Sequence, residues 1–361
     1  MLLLNNDEVR SLLSMKICLE ALEAGYEDLI RGDAVHRPRI DVWAPCDEVN
    51  GYYRWGSMEG VAKSTGVFAI RMKSDVLYWP DGKTEEKYCV RPGTYCGLIM
   101  LFSTRNGEPL AIMPDGYLQH MRVGGCAGLG VKYLSRQDSH IVGILGSGDM
   151  ARTYLTAFNE VRSIHSVKVF SPTKDHRTAY AKEMSERLGL PVEPLDNPRH
   201  VVSGSDVVAT CTDSNLAVVE DPSWIEKGMH LTNLRFSEWS PEVVSHCDVV
   251  IKLGKNTIDV SDEEAVRLHG QTAFVAGQPE EKARIPQPAV DMYKGHFSFL
   301  TDLLTHRVEG RKNPDQITFF INAGTQGLQF AAVAGRVYHL AKERAMGREL
   351  PTEWFLQDIR D

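Results

Sequence analysis

The stretch Ile141-Val142-Gly143-Ile144-Leu145-Gly146-Ser147-Gly148-Asp149-Met150-Ala151 decides the fold of this 361-residue chain. Its first five residues are apolar and read as a buried strand; a glycine turn follows, and a helix opens after it. Glycines cluster in loops by chance, so the motif takes its meaning from the strand before it and the helix after it. Gly146 permits the tight turn, Gly148 lets the backbone approach a pyrophosphate, and Ala151 allows the helix to pack closely on the strand. Phosphates then rest on the free N–H groups around Ser147, Asp149 and Met150. The expectation is a Rossmann dinucleotide-binding module that holds a nicotinamide or flavin nucleotide.

The end of the second strand, about twenty residues on, selects the cofactor. An acidic residue there would take the ribose hydroxyls of NAD. The chain instead has Val169-Phe170-Ser171-Pro172-Thr173-Lys174-Asp175-His176-Arg177. Ser171 occupies the acidic position, with Thr173, Lys174 and Arg177 close behind. A hydroxyl with flanking cations suits a 2′-phosphate, which favours NADP(H) and leaves NAD(H) possible. In the alternative, Lys174 and Arg177 are solvated charges on a helix face. Thr212, just after a third strand, joins the cofactor-binding set.

Outward from the turn, strands at 141–145, 166–170, 206–211, 229–234 and 248–252 alternate with helices at 149–160, 174–188, 197–204 and 240–246. That alternation predicts a parallel sheet covered on both faces. Before it lie a helix over Asp7–Ile30, loops and short strands over 31–66, and a strand at Val67–Ser74. A hairpin, Gly97–Phe102 and Pro109–Met113, turns at Thr104-Arg105-Asn106-Gly107. Residues 115–134 read as a helix rich in glycine. After about 255 the chain is polar and Pro-rich, around Gln278-Pro279 and Ile285-Pro286-Gln287-Pro288. A last helix, Ala323–Ala345, is apolar nearly all round, which calls for burial against the first domain or a second subunit. The expected α/β architecture is a Rossmann domain at 126–314, inserted into an α+β substrate-binding and dimerisation domain made of 1–125 and 315–361.

Composition narrows the function. The chain is 43% hydrophobic and 24% charged, as soluble globular proteins are. A net charge of −8 argues against nucleic acid or an anionic membrane as partner, so an anionic ligand needs a local cationic cluster. The seven cysteines are odd in number and form no C-x-x-C pair, which fits reduced thiols in a cytosol. Met1-Leu2-Leu3-Leu4 is too short for a signal segment, no window approaches a transmembrane span, and a cytoplasmic location is expected. No histidine pair has metal-ligand spacing, and there is no G-x-S-x-G elbow.

Thr94-Tyr95-Cys96-Gly97-Leu98-Ile99-Met100-Leu101-Phe102 leads to Asn106-Gly107-Glu108-Pro109-Leu110. Gln119-His120-Met121-Arg122 then precedes the small-residue helix and the nucleotide turn. Over roughly residues 7–345 this order of parts resembles the ornithine cyclodeaminase/mu-crystallin family, which includes alanine dehydrogenases, ketimine reductases and lysine cyclodeaminases. The resemblance implies that basic residues grip a substrate α-carboxylate while hydride passes between Cα and the nicotinamide. An anionic substrate requires a bidentate cation, which arginine supplies. Arg39 and Arg122 match the family's carboxylate-binding arginines, and Thr94 matches a position near substrate or nicotinamide; it also reads as a strand residue with a satisfied hydroxyl.

Two positions depart from the family. Its substrate-binding lysine falls on Arg71, which cannot readily exchange a proton at neutral pH. Lys73, two residues on and on the same strand face, either takes over proton transfer or forms a basic wall with Arg71 for a larger or more acidic substrate. The cyclodeaminases' catalytic aspartate falls on Ser237, with Glu238 adjacent. Glu238 either serves as the acid–base carboxylate, one residue displaced, or caps the next helix. In Val123-Gly124-Gly125-Cys126-Ala127-Gly128-Leu129-Gly130, each helical glycine costs about 1 kcal/mol against alanine, which points to close approach of another backbone or of the cofactor.

Three readings follow. The first is an NAD(P)-dependent oxidoreductase acting on a small α-imino or α-amino acid, with Arg39, Arg71 and Arg122 on the carboxylate and Lys73 or Glu238 on the proton. The second is an ammonia-releasing cyclodeaminase, and the third a nucleotide-binding protein without turnover. A homodimer joined through the non-Rossmann domains is expected. Tyr52, Tyr53, Arg54, Trp55 and Met58 lie in an insertion at 40–66 and either line the pocket or pack the dimer.

Overall fold

A computed structural model describes residues 1–48, 50–80, 85–214, 216–258, 265–268, 271–286 and 296–359. Gln287 and Pro288, part of the Pro-rich stretch, lie outside the described residues. Among the described residues the strands form two sheets, one of eight and one of ten.

The eight-stranded sheet runs Val192–Pro194, Ser166–Phe170, Ile141–Leu145, Val207–Thr210, His230–Thr232, Thr318–Ile321, Val249–Lys252 and Ser298–Phe299. Every pairing in it is parallel. Helices cover both faces, so central strands such as Val207–Thr210 and Thr318–Ile321 are buried at every residue. From Ile141–Leu145 the chain first adds strands on one side and then on the other. The crevice at that strand's carboxyl end is the switch point where open α/β sheets bind ligands.

The ten-stranded sheet is mixed and runs Ala265–Leu268, Gln271–Val275, Ala34–Pro45, Tyr52–Ala62, Val67–Tyr78, Cys96–Ser103, Pro109–Pro114, Leu2–Leu3 and Arg348–Glu349, with Glu86–Tyr88 paired to Val67–Tyr78. Alternation is strict on Tyr52–Ala62, where every second residue is buried. The buried face carries Met58, Gly60, Ala69 and Arg71, and the C-terminal helix Gln326–Glu343 lies across it. That crossing is a backbone contact: a Cβ on Gly327 would sit 1.8 Å from the Glu59 carbonyl oxygen.

Several expectations change. The helix expected over Asp7–Ile30 is two, Asn6–Leu12 and Met15–Arg31, broken at Leu13 because the Ser14 hydroxyl caps the second. Residues 31–66, read as loops and short strands, hold two long antiparallel strands, with Pro38 accommodated where the register shifts between Arg37 and Ile40. Strands also cross the expected division of the chain. Ala265–Leu268 and Gln271–Val275 join the mixed sheet and Thr318–Ile321 the parallel one.

The helix Gly116–Leu134 ties the two sheets together. A Cβ on Gly124 would lie 2.6 Å from the Thr153 carbonyl carbon, one on Gly128 2.9 Å from Ala157 Cβ, and one on Gly130 2.4 Å from the Phe320 ring. The glycines therefore admit the nucleotide-turn helix Asp149–Val161 at backbone distance, which offsets their intrinsic helix cost.

Candidate active site

At the nucleotide turn, Gly146 has φ +122°, and a Cβ there would fall 2.2 Å from the Cys211 carbonyl oxygen, so glycine is required twice over. Its N–H donates to Phe170 O at 2.7 Å, joining the turn to the second strand. Gly148 caps the helix through its backbone, and a Cβ on it would meet nothing within 4 Å. The approach to the helix's first N–H groups is therefore open, the cradle a pyrophosphate needs. Asp149 and Met150 begin the helix, and Ala151 is fully buried against the sheet. The residues present fit a dinucleotide.

Ser171 closes the far side of this crevice. The Ser147 hydroxyl donates to Ser171 Oγ at 3.0 Å, and Ser171 Oγ donates to Thr173 O at 3.3 Å. Arg177 Nη1 donates to Ser171 O at 2.9 Å and lies over the Phe170 ring. Lys174 is exposed at the start of the next helix. Among the described residues of this turn, 171–174, none is acidic.

Across the glycine helix from the turn lies a group of cations on the mixed sheet. Arg122 is 7% exposed, yet its hydrogen-bond partners are neutral: Gln119 Oε1 at 2.7 and 3.2 Å and Gln329 Oε1 at 2.7 Å. The guanidinium also lies 5.0 Å from the Phe330 ring centroid. Burial, reinforced by nearby Arg71, pushes its pKa down to about 10, so it stays charged at neutral pH. Arg71 is paired: it grips Asp115 Oδ2 through Nε at 2.7 Å and through Nη2, with both side chains 3% exposed. Arg39 makes a bidentate pair with Asp41 at 2.5 and 2.9 Å, in space that a Cβ on Gly56 would fill. Of the three arginines expected to clamp a carboxylate, Arg122 is the one whose charge the protein leaves without a carboxylate partner among the described residues.

Lys73 stands on the same strand face as Arg71, as alternation predicts, and its Nζ is 3.0 Å from Asp75 Oδ2. Arg54 and Lys87 reach the same carboxylate at 2.7 and 3.4 Å. Burial, followed by the charges of Arg54, Lys87 and Arg39, pushes the Lys73 ammonium down to about 7 against the pull of Asp75. Tyr95 presents its ring to Lys73 at 5.6 Å and to Lys87 at 5.0 Å.

The structure sets Glu238 apart from both of its expected roles. The side chain is fully buried, and its oxygens accept from Thr210 Oγ1 (2.9 Å), Thr212 N (2.6 Å), Thr212 Oγ1 (2.8 Å), Leu234 N (2.8 Å) and Arg235 N (2.7 Å). A carboxylate with five donors fastens the loops after two central strands and has no open face toward a substrate. The next helix is capped by Ser240, not by Glu238. Ser237 Oγ donates to Ser214 O at 2.9 Å. Thr212 is accordingly held by Glu238 at the edge of the crevice. Thr94 is exposed, with its hydroxyl engaged on Arg91 O at 2.7 Å, so it is not gathered to the arginines.

The carboxylates Asp41, Asp75 and Asp115, the amides Gln119 and Gln329, and Lys87 were not singled out from sequence as site residues, and Arg54 was read as lining the pocket or packing the dimer. Alternation through Arg71, Lys73 and Asp75 would have found one of them; Gln119, one helical turn before Arg122, is another legible neighbour.

The sequence profile of the ornithine cyclodeaminase/mu-crystallin family matches residues 1–344. A Delta(1)-pyrroline-2-carboxylate reductase of Bacillus thuringiensis is 26% identical over 261 residues, 71% of this chain and 74% of the relative. An alanine dehydrogenase of Archaeoglobus fulgidus is 26% identical over 350 residues, 97% of this chain and 98% of the relative. Among solved structures, the Thermococcus litoralis Delta(1)-pyrroline-2-carboxylate reductase in complex with NADH and L-proline matches with a TM-score of 0.75 at 25% identity, covering 97% of this chain and all of that one (100%).

Proposed function

The chain belongs to the ornithine cyclodeaminase/mu-crystallin family, and from that premise we propose that it is an NAD(P)-dependent oxidoreductase acting at Cα of a small α-imino or α-amino acid. The carrying observation is Arg122, a buried guanidinium with neutral partners, two residues before Gly124, which touches the nucleotide-turn helix. A substrate carboxylate supplies the missing counter-charge, and Arg71 lies beside it over the same Phe330 ring. Bound nicotinamide supplies or takes up the hydride. Lys73 holds the proton for the substrate nitrogen, since its pKa of about 7 lets it both give and accept one near neutrality. Arg39 acts at one remove, fixing Asp41 beside this group. Relatives with these activities support the reading: an imino acid reductase and an alanine dehydrogenase.

Of the two nicotinamide dinucleotides, the strand end favours NADP(H). Ser171 offers a hydroxyl where a carboxylate would repel the 2′-phosphate, with Lys174 and Arg177 flanking it. Dissociation constants by fluorescence titration are expected to favour NADPH over NADH about tenfold, and Ser171→Asp to reverse the order. Tighter NADH binding by the unaltered protein would remove the preference.

The other face of the mixed sheet fits a second copy of the chain. Val42 is 48% and Leu98 39% exposed, and cross-strand pairs extend the apolar surface through Trp55, Ile70, Met72, Met100 and the Phe68–Phe102 contact. Light scattering should return twice the 40.4 kDa chain mass, and Met72→Asp should halve it. A monomer before substitution would contradict this assignment. No helix among the described residues is long and apolar enough to cross a membrane.

A further inference from the structure

The cations around Arg122 outnumber what one α-carboxylate requires. Arg39, Arg54, Arg71, Lys73, Lys87 and Arg122 face Asp41, Asp75, Asp115 and, at 3.9 Å from Arg54, Glu85. With Lys73 protonated, the group carries two more positive than negative charges among the described residues. A carboxylate on Arg122 neutralises one. The other belongs to the far end of the group, where Arg54, Lys73 and Lys87 share Asp75 and Arg54 also reaches Glu85. Arg54 is 6% exposed, and its Nε is a buried donor without an acceptor. Concentrating cations in a half-buried place without counter-ions is costly, and a bound anion relieves the cost.

The arrangement has a direction. Arg71, Lys73 and Asp75 succeed one another on one strand face, about 7 Å per pair of residues. Arg54 stands opposite Asp75 and Met58 opposite Arg71 on the neighbouring strand. The Phe330 ring carries Arg71 and Arg122 at one end, and the Tyr95 ring carries Lys73 and Lys87 at the other. Lys73 follows Arg71 along that face and is the first cation of the far group reached from the Arg122 end.

Resting on the activity proposed above, we infer that the substrate carries a second carboxylate, received by Arg54 and Lys87, so that the enzyme acts on an imino- or amino-dicarboxylic acid. The first carboxylate sits on Arg122 and Arg71. In the reductive direction, hydride from C4 of NAD(P)H adds to the imine carbon, the C=N π-electron pair moves to nitrogen, and Lys73 gives that nitrogen a proton. The products are the amino-dicarboxylate and NAD(P)+.

The test compares imines formed in ammonia buffer from oxaloacetate and 2-oxoglutarate with those from pyruvate and 2-oxobutanoate, following nicotinamide absorbance. We expect kcat/KM for at least one dicarboxylic imine to exceed both monocarboxylic ones by about 100-fold. Lys87→Gln, at a partly exposed side chain, should cut that ratio about tenfold, and Arg54→Gln should cut it further. Equal or better turnover of the monocarboxylic imines would overturn this inference and leave the proposed activity standing. Absence of turnover with all four would overturn both.

Discussion

Replacing Arg122 with alanine is expected to lower kcat/KM for the imino acid by roughly 150- to 5000-fold while nucleotide affinity changes less than about twofold. Its guanidinium is desolvated, it bonds to Gln119 and Gln329 rather than to a carboxylate, and it is oriented by Phe330. A substrate carboxylate there forms a pair screened from water, and losing one partner of such a pair costs about 3–5 kcal/mol. Its polar contacts include none from the nucleotide turn, so binding and nucleotide affinity separate. Arg122→Lys should recover part of the loss, because a point charge keeps the attraction and loses the two-pronged geometry. Steady-state kinetics with parallel fluorescence titration of NADPH measure both. A kcat/KM within threefold of the unaltered enzyme would remove Arg122 from the substrate site.

The second large effect belongs to Lys73. Its ammonium must be charged to protonate the substrate nitrogen, so imine reduction should fall as pH rises through about 7, and amine oxidation should rise over the same interval. Lys73→Met keeps the stem, removes the ammonium, and should cost about 100- to 10 000-fold in kcat with loss of that limb of the profile. A stability signature accompanies it. The unfolded chain keeps this proton up to the ordinary value of 10.5, whereas the folded protein releases it near 7. The unfolded state therefore binds more protons in between, and this group makes stability rise as pH increases from about 7 toward 10.5. An unchanged profile in the Lys73→Met enzyme would place the proton elsewhere.

Legibility in the sequence followed the range of the interactions. The nucleotide turn is local: a buried strand, Gly146 and Gly148 lie within eight residues, Gly146 where a side chain would strike the Cys211 carbonyl and Gly148 where it would stand in open space. The helical glycines were legible as close approach, although what they approach, Thr153, Ala157 and Phe320, was not. The long strands Ala34–Pro45 and Tyr52–Ala62 were hidden by Pro38, Gly56 and Gly60, residues that ordinarily break strands. Gly56 is there to admit the Arg39–Asp41 pair and Gly60 to admit the C-terminal helix. Cations were easier to find than their partners. Arg71 meets Asp115 across 44 residues and Arg122 meets Gln329 across 207, distances at which sequence carries no periodic signal.

Glu238 shows the opposite failure. A lone carboxylate near the expected catalytic position reads from sequence as a proton carrier or a helix cap, and only the five donors converging on it identify an anchor. Those donors come from backbone and threonine hydroxyls in two separate segments. None of them has a side-chain signature that a linear reading could attach to Glu238.

The most direct test of the central claim follows an isotope from nicotinamide to substrate. With NADPH carrying deuterium at the transferred C4 position and an imino acid the enzyme accepts, the amino acid product should carry one deuterium at Cα, with nicotinamide oxidised in equal amount. Mass spectrometry and absorbance read the two together. Ammonia release from an amino acid with no net change in nicotinamide absorbance would instead make the chain a cyclodeaminase. Tight nucleotide binding with no deuterium in any product would make it a binding protein, and either outcome would contradict the account.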